Sequence, residues 1–119
     1  MDSRLMTRHK VVLVPFPFDD LTSNKVRPAV CLTDPIGPHR HVVLAFITSR
    51  VPVQPLATDV IIDSSSTGFV ATGLRVPSAL QLHRLMTVTT SLIQRELGYL
   101  SFELQSQVVD RLLELFDLR

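Results

Sequence analysis

The chain has 119 residues, 45% of them hydrophobic, with a formal net charge of +1, which predicts one domain over residues 1–119 and demands no polyanionic partner. Its single cysteine excludes an intramolecular disulfide, and with four scattered histidines it offers no zinc-binding spacing. No apolar run approaches the ~20 residues that span a bilayer and residues 1–10 lack an apolar region, so a cytoplasmic protein without a membrane partner is expected.

Met1–Thr7 reads as a polar leader. His9–Val14 is the first predicted strand, because VVLV is a run of β-branched residues and leucine. Pro15 and Pro17 have no backbone N–H to donate and oppose further pairing. Pro15–Lys25 is expected to be a mobile loop, polar and turn-rich apart from Phe16, Phe18 and Leu21. Pro28–Leu32 is the second strand, and Cys31 inside it reads as a small core residue. Arg27 therefore stands at a strand entrance beside Thr22, Ser23, Asn24 and Lys25, a place suited to an anion.

Asp34-Pro35 and Gly37-Pro38 mark a turn, after which His41–Ile47 is a third strand ending in Thr48, Ser49 and Arg50. Thr58–Ile62 is a fourth. Gly73–Val76 and Ala79–Leu82 read as short strand pieces split by Pro77, with Arg84–Val88 as a further piece. Ser91 and Gln94 fit a capping box and Gly98 a helix terminus, which predicts a helix of about two turns. Ser101 can cap a longer helix whose apolar face is Leu104, Val108, Leu112, Leu115 and Phe116, widened by Val109 and Leu113. The fold class is α+β, mainly β: an antiparallel sheet curled into a small barrel, with a short helix and a C-terminal helix. Basic residues gather in residues 1–50 and acidic ones toward the C-terminus, a pattern open to a polyanion and equally to a solvated surface.

VVLVPFPFDDLTSNKVRPAVCL, VVLAFITS, TGLRVPSAL and LIQRELGYLS, in that order, resemble the MazF/PemK toxins of bacterial toxin–antitoxin pairs, over about His9 to Leu118. The resemblance implies an SH3-like barrel of the MazF/CcdB kind and a homodimer. It implies a sequence-specific endoribonuclease that cuts single-stranded mRNA independently of the ribosome. It also implies a cognate antitoxin whose disordered tail lies across the RNA groove, and neither cofactor nor metal.

Metal-free RNA cleavage needs a base for the 2′-OH proton, an acid for the leaving 5′-oxygen and cationic donors for the phosphate. Arg27 matches the arginine of the family's RP motif and suits phosphate through two parallel hydrogen bonds. A plain ion pair with Asp19 or Asp20 is its alternative. Thr48 matches the family's hydroxyl at the end of the third strand, with Ser49 as a weaker version of the same case. Both also suit a turn.

The family's Gly-Asp or Gly-Glu opening is replaced by His9-Lys10, and the first loop holds no His or Glu. Where some members carry an Arg and an Asp two apart, this chain has Gln81 and His83. His83 is the candidate proton-transfer group, with His9 of similar standing; a solvated rim histidine is the plainer reading of both. His39 and His41 read as solvated. Candidate RNA contacts are Thr22, Ser23, Asn24, Lys25, Ser49 and Gln81. The remaining acid–base groups differ from the family's, come from a second subunit, or are missing from a weakly active chain. The competing functions are a gyrase-inhibiting toxin of the same barrel, as in the CcdB relatives, and an RNA-binding module without catalysis.

Overall fold

The computed structural model describes residues 6–15 and 25–119. Most of the predicted leader, and the predicted loop with Phe16, Phe18, Leu21, Thr22, Ser23 and Asn24, lie outside the described residues. Six strands form one antiparallel sheet: β1 (Lys10–Pro15), β2 (Val26–Cys31), β3 (His41–Thr48), β4 (Asp59–Ile62), β5 (Ser78–Thr89) and β6 (Arg95–Tyr99). Their spatial order is β4-β5-β3-β2-β1-β6, and the sheet is curled into a half-barrel. One α-helix, α1 (Phe102–Leu115), follows among the described residues. Among the described residues no helix is long and apolar enough to cross a membrane.

Both faces of the sheet are apolar, because each central strand alternates between two clusters. Val30, Ala45, Ile47, Leu80 and Leu82 face α1 and pack with Leu104 and Val108. Val12, Val14, Ala29, Cys31, Leu44 and Phe46 form the second cluster, on the opposite face. Leu104 and Val108 are nearly inaccessible, and each such side chain contributes roughly 1.5–3 kcal/mol. Burial pushes the Cys31 thiol up to about 12, which suits a core residue and not a nucleophile. Ser101 caps α1 as predicted, its Oγ accepting from the Leu104 N–H at 3.3 Å. Val109 and Phe116 are half exposed and do not widen the buried face.

The predicted Ala79–Leu82 and Arg84–Val88 pieces are one strand interrupted by a bulge. On β3, Phe46 opposes Gln81 and the adjacent Ala45 opposes Leu85, so Leu82, His83 and Arg84 have no opposite residue there. A bulge bends its strand and sharpens the local twist. β5 thereby passes from β3 alone to a position between β3 and β4, which curls the sheet.

Two predictions are overturned. The Ser91-Gln94 helix does not form: a single 3₁₀ turn, Thr90–Leu92, leads directly into β6. The local cap signal loses to the open edge of β1, which gains a partner strand and, at its end, a hydrogen bond from Gln94 N–H to Leu13 O of 2.9 Å. Gly98 therefore lies within a strand, not at a helix terminus. Gly73–Val76 is not a strand either. It leaves the 3₁₀ turn Val70–Thr72 through Gly73 at φ 76°, a left-handed conformation that breaks extended pairing.

β1 also begins one residue later than expected. His9 has φ 73°, again left-handed, a conformation that glycine adopts at less cost. The preceding turn is tied to Asp34, whose Oδ1 accepts from the Arg8 and Thr7 N–H groups at 3.0 Å each. The Arg8 N–H foremost holds the Asp34 carboxyl below its ordinary range. A depressed folded value gives stability that is present above the ordinary carboxylate pKa of about 3.9 and lost as pH falls through the folded value. Thermal unfolding from neutral pH down into the acid range is expected to show a steeper acid loss for the wild type than for Asp34→Asn.

Candidate active site

The strand register brings three of the predicted residues to one end of one face. Arg27 on β2 lies opposite Val14 of β1. β2 pairs with β3 from Cys31–Leu44 to Ala29–Phe46, so Arg27 on β2 and Thr48 on β3 each lie two residues beyond the last pair, at the same end of neighbouring strands. Gln81 on β5 opposes Phe46, two strand rises or ~7 Å along β3 from Thr48. By strand alternation Arg27, Thr48 and Gln81 share the face of Ala29 and Phe46, turned away from α1. Arg27, Thr48 and Gln81 are all half-buried, whereas Lys25 and Ser49 are exposed beside them. Thr22, Ser23 and Asn24 are outside the described residues.

Thr48 terminates β3 in a local turn, its Oγ1 accepting from the Arg50 N–H at 3.1 Å. That bond uses a lone pair and leaves the hydroxyl hydrogen to be donated to an oxygen ligand. Gln81 Oε1 accepts from Arg84 Nη1 at 3.4 Å, a long bond across the bulge. His83 occupies the middle of that bulge with its side chain 39% exposed. Bulges re-aim side chains and gather near active sites. Its Nδ1 is 3.9 Å from Asp59 Oδ1, and the Asp59 side chain is fully buried.

Asp59, which the sequence does not single out, lies beside His83. It opens β4 opposite Gln81, and its Oδ2 accepts from the Leu56 N–H at 2.9 Å. Its Oδ1 is buried and has no hydrogen-bond partner among the described residues. Nothing in the stretch Thr58–Ile62 marks it, since an aspartate before an apolar run reads as a turn residue.

His9 is not part of this constellation. It precedes β1 by one residue, five rises or ~17 Å along the chain from Val14, the partner of Arg27. It lines a groove against α1 with Phe102, Gln105, Ser106 and Val109. Burial and the Arg8 charge lower its pKa, with Asp34 opposing. His39 and His41 are exposed and stack on one another, ring centroids 5.8 Å apart. Among the described residues no group of three or more His, Cys, Asp or Glu is placed to hold a metal ion.

A profile of the PemK-like, MazF-like toxins of type II toxin–antitoxin systems matches residues 7–116. The chain belongs to this toxin family. The MazF-like toxin is similar in structure to the Mycobacterium tuberculosis toxin MazF-mt6, at 25% identity and a TM-score of 0.69, covering 91% of this chain and 96% of that one. It shares its fold with a mycobacterial endoribonuclease in complex with its cognate antitoxin, at 13% identity and a TM-score of 0.70, covering 96% and 97%. The same holds for MazF of a MazE–MazF complex from Deinococcus radiodurans, at 13% identity and a TM-score of 0.66, covering 94% and 95%. No curated protein sequence matches the MazF-like chain.

Proposed function

We propose that this MazF-like toxin is a sequence-specific endoribonuclease that cleaves single-stranded mRNA by attack of the 2′-OH on the neighbouring phosphorus. The observation that carries the reading is the convergence of Arg27 and Thr48 on one end of the sheet face, on adjacent strands. Arg27 holds the non-bridging phosphate oxygens through its guanidinium, and Thr48 donates its hydroxyl hydrogen to the same group. His83 accepts the 2′ proton. Gln81, Ser49 and Lys25 contact the flanking nucleotides, together with Thr22, Ser23 and Asn24. The need for a 2′-OH spares DNA.

The chain acts in the cytoplasm as a homodimer, and a cognate antitoxin blocks the same face. A structurally similar endoribonuclease bound to its antitoxin supports this reading. The mechanism assigns no role to a metal or cofactor.

The test is to incubate the purified chain with RNA, with and without EDTA, beside a gyrase supercoiling assay. RNA cleavage that survives EDTA is the expected result. Intact RNA together with blocked supercoiling would replace this reading with a gyrase-directed toxin.

A further inference from the structure

Asp59 belongs to no assigned site, yet it is the fully buried carboxylate nearest to the bulge that carries His83. A buried carboxylate oxygen without a donor is costly, because it has given up water and gained nothing in return. Asp59 Oδ1 is such an oxygen among the described residues, while Oδ2 is already satisfied by Leu56 N–H. The ring nitrogen Nδ1 of His83 lies 3.9 Å from this Oδ1. That separation is too long for a hydrogen bond. The half-exposed ring can close it by rotating about its side-chain bonds, and such contacts often tighten only when substrate is bound.

We propose that Asp59 is a positioning residue for His83, an assignment that rests on the ribonuclease reading. Its Oδ1 accepts the Nδ1–H of the neutral imidazole, which fixes the tautomer whose Nε2 is bare and faces outward. In the reaction, Nε2 takes the 2′-OH proton while the O2′–P bond forms. The P–O5′ bond breaks with its electron pair going to O5′, which takes a proton from water. The imidazolium then returns its proton to the hydroxide left behind. The Asp59 carboxylate stabilises the imidazolium in between without being protonated itself, the division of labour known for histidine–aspartate pairs in hydrolases.

The test reads the tautomer directly. Long-range ¹H–¹⁵N spectra of the ¹⁵N-labelled protein in alkaline buffer, with His83 assigned by its loss in His83→Gln, are expected to show a protonated Nδ1 and a bare Nε2. In Asp59→Asn the amide oxygen keeps the Leu56 bond, so the amide NH₂ faces Nδ1 and the proton moves to Nε2. RNA cleavage by Asp59→Asn is expected to fall by about 10²-fold, below the ~10⁴ seen when a tightly bonded aspartate of this kind is replaced. A protonated Nε2 in the wild type overturns the proposal and needs no folded variant to do so. Wild-type cleavage by a folded Asp59→Asn overturns it while leaving the ribonuclease reading intact. A wild-type chain that cuts no RNA overturns both.

Discussion

Arg27→Ala is expected to lower kcat/KM for RNA cleavage by about 10²–10³-fold, the loss typical of removing one fixed donor from a developing oxyanion. The guanidinium meets a phosphate through two parallel hydrogen bonds, so the change removes both at once. Arg27→Lys is expected to recover only part of the rate, because an ammonium restores the charge without the planar fork. The fold should survive either change. Arg27 is half-buried near the start of β2, whereas the packing of that strand rests on Ala29, Val30 and Cys31, all fully buried. Steady-state kinetics beside thermal unfolding separates the two effects. Undiminished cleavage by Arg27→Ala would move the phosphate site elsewhere on the molecule.

The largest stability effect is expected at Gly98→Ala. A Cβ on Gly98 would lie 2.6 Å from the Thr72 carbonyl carbon and 2.7 Å from its oxygen, and against Ala71 O as well. These are backbone atoms, and the turn that carries them is held in place. Thr72 is fully buried, its Oγ1 donates to Phe69 O at 2.6 Å, and Gly73 N–H donates to Val70 O at 3.1 Å. Gly73 approaches β6 in the same manner from the other side, a Cβ there meeting the Leu97 carbonyl. The two backbones are therefore packed without room for a methyl group, and forcing one in costs about 1–3 kcal/mol. Denaturant unfolding of wild type and variant measures the difference. An unchanged midpoint would mean that β6 and the turn part without loss.

The strands β1 to β4 and the helix α1 were legible because their signals are local. VVLV, VVLAFI and the Leu104-Val108 spacing each state their own period, and Ser101 caps in place. Where pairing decides, local signals misled. Ser91 and Gln94 resemble a cap over four residues, yet the unpaired edge of β1 recruits the segment that follows as β6. Gly98 was visible as a special position but for the wrong reason, a helix end in place of a close backbone approach. The bulge at Leu82–Arg84 has no signature at all, since a register shift is a property of two strands and not of one.

The candidate site divides along the same line. Arg27 and Thr48 were singled out through the KVRP and ITS segments, and each lies two residues beyond the last β2–β3 pair. Asp59 carries no local signal, because its proposed role rests on burial and on a neighbour 24 positions away in the sequence. His9 was a candidate only by residue type, and topology sends it to the other end of β1.

The most direct test of the proposed chemistry is the identity of the ends left on cut RNA. A single-stranded RNA digested by the wild-type chain and read by mass spectrometry is predicted to give upstream fragments ending in a 2′,3′-cyclic phosphate and downstream fragments with a free 5′-hydroxyl. Upstream fragments with a 3′-hydroxyl and downstream fragments with a 5′-phosphate would contradict attack by the 2′-OH.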